Sequence, residues 1–355
     1  MKKSVRYLAG LLALAMVVAA CGDEGEGPGG DDAPHVGLVF DIGGRGDQSF
    51  NDAAAAGLDK AVAELGVTKS EASPNDDGSN RAELLQLAAD ESDIVIAVGF
   101  LFEGDAAAVA AENPEVNFAV VDTPMINGET NEPYSDNTAG LVFAEHEGSF
   151  LVGAAAALKS ETGVIGFIGG VSGMGGLIEK FEAGFVAGAR AVNPDIEIVR
   201  QYITAAPDFD GFVAPDRGRE IALSMYEDNG ADIIYHAAGL SGSGLFDAAK
   251  EFSEASGSKV WAIGVDSDQY NTAGDEVKDY ILTSMLKRVD VAVFEIIKAH
   301  IEGNFASGPQ EYDLSVDGVG YATSGGFIDD ITDTLDDYKA KIVSGEIEVP
   351  TTPAP

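Results

Sequence analysis

Cysteine occurs once in this chain of 355 residues, as Cys21, so no disulfide can form within it. Histidine is almost as scarce. His35, His146, His236 and His300 are scattered, and His146-Glu147 lacks the second histidine of H-E-x-x-H, so no metal site is read and His146 is expected on a helix surface. Basic residues number 21 against 60 acidic ones, for a net charge of −39. A field of that sign repels nucleic acid and anionic lipid headgroups, disfavours an anionic ligand such as a nucleotide, and suits a neutral or cationic one. Catalytic fingerprints are missing too. No Walker A motif and no G-x-S-x-G elbow occurs, and Gly44-Arg45-Gly46 has Ser49 where the third glycine of G-x-G-x-x-G belongs. The loops 169–176 and 239–244 are glycine-rich but fit none of these patterns. No catalytic residue and no cofactor is therefore assigned.

What is present begins with an export signal. Met1 to Arg6 form a basic region, Leu8 to Val18 an apolar one, and Ala19-Ala20 are small residues before Cys21. The apolar run is too short, and too abruptly followed by Gly22-Asp23-Glu24, for a membrane span of about 20 residues. Val18-Ala19-Ala20-Cys21 looks like a bacterial lipobox, which makes Cys21 a lipidated first residue and places the protein outside the cytoplasm, anchored to the cell membrane. Residues 21–34 read as an acidic, flexible tether after a signal at 1–20, and residues 350–355 as a disordered tail.

Between them, apolar runs alternate with helical patterns. Candidate strands are Val36–Phe40, Ile94–Gly99, Val116–Val121, Val164–Ile168, Ile196–Ile203, Ile233–Ala237, Val260–Val265 and Tyr280–Leu286. Candidate helices are Ala53–Leu65, Asn80–Asp90, Asp105–Glu112, Ala139–Lys159, Leu177–Val192, Arg217–Asn229, Gly244–Ser256 and Arg288–Glu302. Leu177, Phe181, Phe185, Ala189 and Val192 form one apolar stripe, and Asn193-Pro194 ends that helix. The alternation signals α/β architecture with parallel sheets, and it happens twice, from Val36 to Val121 and from Val164 to Val265. Two lobes suit the length, since single cores stop growing at roughly 250–300 residues.

The stretch from Asp41 to Asn51 joins the first strand to the first helix, where open α/β sheets bind ligands. Its glycines permit close approach, and Ser49 with Asp52 resembles a capping box that leaves Phe50 and Asn51 at the mouth. Aspartate follows or ends three strands: Asp41, Asp122 and Asp266. One such residue is an ordinary turn or cap; three make a polar cluster suited to a polyol or ribose, because a carboxylate accepts from vicinal hydroxyls. Lys287, at the end of another strand, is either a solvated lysine or a donor reaching into the cleft.

Blocks along the chain are similar to one family. Asp47-Gln48-Ser49-Phe50-Asn51, Phe118 to Asp122, Gly166 to Gly170, Ile178 to Phe185, Ala262 to Gln269 and Leu282 to Arg288 together resemble the basic membrane protein family of substrate-binding lipoproteins, over about His35 to Glu348. The best-understood members of that family are purine nucleoside receptors of ABC importers. The resemblance implies a type I periplasmic binding protein, two doubly wound parallel-sheet lobes joined by three crossovers, with 35–138 and 286–306 in one lobe and 139–285 and 307–349 in the other. It also implies a purine ring between Phe50 and a second aromatic, with Asp41, Asn51 and Asp122 near the base. Asp266, Lys287 and a loop glycine, Gly239 or Gly242, then fall on the ribose. Phe212 matches the second aromatic in a motif where Ala214 departs from the family aspartate, and Phe209 is its rival. Expected partners are the nucleoside, an ABC permease with its ATPase, and the membrane through Cys21, with no nucleic acid. Two alternatives stay open: an exported nucleoside hydrolase using the aspartates, and a binding protein of the same fold for a sugar or other small polyol.

Overall fold

The structure, a computed structural model, describes residues 33–75 and 78–354. The signal, Cys21 and nearly all of the tether lie outside them. In chain order the first sheet receives β1 (His35–Val39), helix α1 (Phe50–Leu65), β2 (Thr68–Ala72), α2 (Arg81–Glu91), β3 (Ile94–Ala97), α3 (Glu103–Glu112), β4 (Asn117–Val121) and β5 (Thr138–Phe143). The second receives α4 (Glu145–Lys159), β6 (Val164–Ser172), α5 (Leu177–Val192), β7 (Glu197–Ala205), α6 (Pro215–Glu227), β8 (Ile233–Ala237), α7 (Ser243–Ser256), β9 (Trp261–Asp266), α8 (Gln269–Thr272) and β10 (Ile281–Lys287). The chain then returns as α9 (Val289–Ile301) and β11 (Gly308–Tyr312) to the first lobe, and crosses back as β12 (Val319–Tyr321) and α10 (Thr332–Val343).

Strand order is β11-β5-β4-β3-β1-β2 in one sheet and β12-β10-β9-β8-β6-β7 in the other, so the same winding occurs twice. Every pairing within the sheets is parallel except β10 with β12. The central strands Ile94–Ala97 and Ile233–Ala237 are buried throughout, which is why they read as continuous apolar runs. Each sheet is covered on both faces. Residues Val36, Leu38, Ile94 and Ile96 join the cluster containing α1 and α9, while Val39, Val95 and Ala97 pack with Leu85 and Phe102 on the other side. This is the doubly wound, two-lobed, type I periplasmic binding architecture that was expected.

The crossovers lie elsewhere than expected. The chain passes between sheets after Phe143, after Lys287 and after Tyr312, not near 138, 285 and 306. Ala139–Phe143 was read as helix because Ala-Gly-Leu-Val-Phe runs unbroken into a helical pattern; it is β5, and the helix begins at Glu145. β2, β11 and β12 were not read at all, since Thr-Lys-Ser-Glu-Ala and Gly-Pro-Gln-Glu-Tyr are polar strands at or near a sheet edge. Residues 350–354 are not a loose tail: Val349 is buried, and the Arg200 guanidinium donates to the Ala354 carbonyl at 2.9 Å.

The α4–α5 pair supports the floor of the second lobe. A Cβ on Gly184 would overlap the His146 carbonyl oxygen, and one on Gly188 the Phe150 oxygen, so these glycines set the approach of the two helices. His146 is accordingly half-buried rather than on the surface, its Nδ1 without a hydrogen-bond partner among the described residues. Burial, with Lys180 nearby, lowers its pKa to about 4. Gly184→Ala should cost about 1–3 kcal/mol of stability, the usual penalty of overpacking, measured by urea unfolding. A cost near zero would mean that the helices separate freely.

Candidate functional site

Both sheets aim the carboxyl ends of their strands at one cleft. From the first lobe come Asp41 after β1, Gly99 and Phe100 after β3, and Asp122 after β4. The second contributes Ala238, Gly239 and Leu240 after β8, Asp266 ending β9, Lys287 ending β10, and Phe181 from α5. Phe50, Asn51 and Phe212 also line it, so every expected contact except Gly242 faces the cleft.

The loop before α1 is built by carboxylates. Asp47 Oδ1 accepts from the amides of Ser49 and Asp52, and its Oδ2 from the Asn51 amide at 2.8 Å, which caps the helix start. Asp52 in turn accepts from the amides of Gly46 and Gln48. The expected Ser49–Asp52 capping box is therefore absent, and the Ser49 hydroxyl is free to reach the opposite lobe, donating to Asp266 Oδ2 at 2.5 Å. Asn51 holds Asp41 in place, its Oδ1 accepting from the Asp41 amide at 3.0 Å while its Nδ2 donates to Asp47. Gly99 makes room for Asp41; at φ 108, a Cβ there would overlap Asp41 Oδ2.

Asp122 and Asp266 have φ of 68° and 63°, the left-handed region that aspartate tolerates better than most residues. These aspartates thus occupy turns, and both line the cleft. Lys287, only 2% exposed, lies 2.6 Å from Asp122 Oδ1 and 3.6 Å from Glu145 Oε1, and over the rings of Phe50, Phe143 and Phe181 at 5.0, 5.2 and 5.6 Å. Of the two Asp122 oxygens, Oδ2 is the one aligned for the Lys287 hydrogen bond, at 2.7 Å. Burial alone would lower the Lys287 pKa, but Asp122, Glu145 and Asp266 outweigh it and raise it, so the ammonium is charged. Burial pushes Asp41 and Asp266 up to about 6; the Ile42 amide and Arg81 oppose this at Asp41, as Lys287 and Ser49 do at Asp266. Burial raises Asp122 as well, against the pull of Lys287.

Phe212 and its rival Phe209 occupy different places. Phe212 lines the cleft, its ring seated against Gly170, where a Cβ would crowd its edge at 2.5 Å. Phe209 instead meets Phe100 of the other lobe at a centroid distance of 6.4 Å, at the rim of a wider outer opening. Gly242 is buried behind the cleft, where a Cβ would overlap the His236 ring. Sequence reading missed Phe100, Phe181, Leu240 and the buried Glu145; none carries a local signature, and only the meeting of separate loops brings them together. Among the described residues no group of His, Cys, Asp and Glu could hold a metal ion, and no helix is long and apolar enough to cross a membrane.

The family model described as ABC transporter substrate-binding protein PnrA-like matches residues 35–353. A CD4+ T-cell-stimulating antigen of Listeria innocua is 36% identical over 362 residues, covering 97% of this chain and 97% of its own. An ABC transporter nucleoside-binding protein, BmpA of Lactococcus lactis, is 31% identical over 331 residues, covering 88% of each chain. Among solved structures, an ABC transporter solute-binding protein of Aeropyrum pernix superposes with a TM-score of 0.75 at 29% identity, covering 90% of this chain and 93% of that one.

Proposed function

This chain belongs to the Bmp family of PnrA-like ABC transporter substrate-binding proteins, and from that premise we propose a lipoprotein that captures a purine nucleoside and delivers it to an importing permease. The observation that carries the ligand is the presence of two aromatic rings, Phe50 from one lobe and Phe212 from the other, in a cleft whose polar groups are strand-end carboxylates. Aromatic faces stack on a flat base, and carboxylates accept from base N–H groups and vicinal ribose hydroxyls. Asp41 and Asp122 take the base edge, Asn51 steadying Asp41; Asp266, Lys287 and the Gly239 backbone take the ribose. The nucleoside-binding name of the Lactococcus relative agrees with this reading.

Asp41, Asp47, Asp122 and Asp266 line the cleft against Lys287, with Arg81 3.9 Å from Asp41, so a phosphate would meet excess negative charge. Calorimetry should therefore show purine nucleosides binding at least about a hundredfold tighter than their 5′-monophosphates, a difference of roughly 2.7 kcal/mol. No free base should be released on prolonged incubation. Binding of ribose or another sugar alone, or release of base, would replace this reading by one of the alternatives. The membrane anchor is tested separately: Cys21→Ser should move the protein from the membrane fraction to the soluble one, and retention would end the lipoprotein assignment.

Acidity should weaken binding. Asp266 accepts from both ribose hydroxyls only as a carboxylate, and in the empty cleft its pKa is raised to about 6. A ligand that requires the charged form must displace a proton below that pH, so affinity should be flat above about 6 and fall by up to about tenfold per unit beneath it. In the unliganded protein the sign is opposite. Asp41 and Asp266 keep their protons longer folded than unfolded, so their contribution to stability declines as pH rises from about 4 to about 6. Titrating affinity at pH 5, 6 and 7.5 checks the first statement; Asp266→Asn should make the profile shallower, leaving the part that Asp41 contributes, and an unchanged profile would remove Asp266 from the ligand.

A further inference from the structure

Four side chains of the second lobe converge on two residues of the first. Gln269 Nε2 and Thr272 Oγ1 donate to the Gln48 carbonyl at 3.1 and 3.2 Å. Ser267 Oγ donates to the Ser49 carbonyl at 3.1 Å, and Asp266 Oδ2 accepts from the Ser49 hydroxyl at 2.5 Å. Gln48 and Ser49 immediately precede Phe50, and Gln48 has φ 56°, a conformation uncommon for a residue with a side chain. The segment that presents Phe50 to the cleft is thus shaped partly by the opposite lobe.

The orientation of the Gln269 amide follows from its backbone neighbours. The Val265 amide donates to Oε1 at 2.8 Å, and the group facing Nε2 is the Gln48 carbonyl; backbone donors and acceptors have fixed roles, so oxygen and nitrogen cannot be exchanged. His236 Nε2 lies 3.1 Å from the same Oε1 and must carry the ring hydrogen, which leaves the lone pair on Nδ1. Nδ1 is buried without a hydrogen-bond partner among the described residues, and burial lowers the His236 pKa to about 4. The ring is therefore neutral at pH 7. Two donors on Oε1 hold the amide in the one orientation that offers NH2 to the other lobe. Gly242 belongs to this arrangement, since its missing side chain admits the imidazole.

We infer that Gln269, oriented by His236, is a positioning residue that latches the second lobe onto the Gln48 carbonyl and so fixes Phe50 for the ligand. The inference rests on this cleft being the ligand site, and not on the ligand being a nucleoside. Two readouts test it. Spin labels at the exposed positions Glu91→Cys and Asp247→Cys, in a Cys21→Ser background, report lobe separation without ligand. Gln269→Leu should move the distance distribution toward longer values. With adenosine as probe, the same variant should dissociate at least about tenfold faster while association stays within about threefold, since related complexes differ mainly in off-rate. His236→Leu should follow Gln269→Leu, whereas His236→Gln, which keeps an N–H donor, should stay within about threefold of wild type. Thr272→Val, at an exposed position that does not threaten the core, should open the lobes in the same direction by less. Unchanged distances in Gln269→Leu and Thr272→Val, or equal defects in His236→Gln and His236→Leu, overturn the inference. Should wild type bind none of adenosine, guanosine and inosine, the nucleoside reading falls, and the ligand-free distances still decide the latch.

Discussion

Lys287→Met is expected to destabilise the protein by about 3–5 kcal/mol, the cost of removing one partner from a buried ion pair. The side chain is 2% exposed, and its ammonium is the centre of a cluster in which Asp122 and Glu145 are themselves buried. Methionine would fill the volume but leave Asp122 buried without its cation, while Glu145 would keep only the partly exposed Lys180, 3.4 Å from its Oε2. The location sharpens the effect. Lys287 ends β10 just before one crossover, Glu145 begins α4 just after another, and Asp122 belongs to the first lobe. The cluster therefore braces the joint between lobes as well as one wall of the cleft. Pairing the change with Asp122→Asn should recover part of the loss, because the second substitution removes a charge that the first left unpaired. Urea unfolding of the two single variants and the double variant measures this directly. A cost below about 1 kcal/mol for Lys287→Met would mean that the pair behaves as a solvated surface bridge.

The same residues show what was legible in the sequence. Lys287 could be placed at a strand end, but neither its burial nor its partners could be seen, because Asp122 and Glu145 are distant in the chain and meet only when the sheets do. The strand-end aspartates were legible for two reasons at once. Asp122 and Asp266 occupy left-handed turns that aspartate accommodates, and those turns lie where parallel strands open onto a crevice. Continuous apolar runs identified the central strands; the polar strands β2 and β11 offered no such run, and β5 was hidden by a helix-compatible run that follows directly into α4. The loop before α1 failed at finer grain. Ser49 was read as a cap from local spacing, yet Asp47 supplies the cap, and Ser49 serves a residue 217 positions away. Local patterns assign elements; the pairing of polar groups between lobes is a property of the folded whole. The residues named through the motif resemblance come together at the cleft because such motifs condense tertiary information, except Gly242, which lies behind the cleft against His236.

Phe50→Ala and Asp266→Ala are expected to separate the two halves of the ligand. Stacking of a base on an aromatic is worth roughly 1–3 kcal/mol by alanine substitution, so Phe50→Ala should weaken a purine nucleoside by about tenfold to a hundredfold or slightly more. Hydrogen bonds to a charged group contribute about 1.5–3 kcal/mol, so Asp266→Ala should cost at least as much. Asp266 has a second duty, however, since its Oδ2 accepts from Ser49 of the other lobe at 2.5 Å. The loss on Asp266→Ala is therefore a sum of a ribose part and a closure part. A 2′,3′-dideoxynucleoside lacks the hydroxyls and should bind wild type poorly; on Asp266→Ala it should lose only the closure part. Ser49→Ala supplies that closure part independently, and it should weaken natural and dideoxy ligands by the same factor. Phe50→Ala should likewise affect both ligands equally, because the base is common to them. Calorimetry of wild type and the three variants with both ligands gives the full set of differences. Equal affinity of wild-type protein for the natural and dideoxy ligands would remove the ribose from Asp266, and a Ser49→Ala effect that depends on the ribose hydroxyls would mean that Ser49 itself touches the sugar.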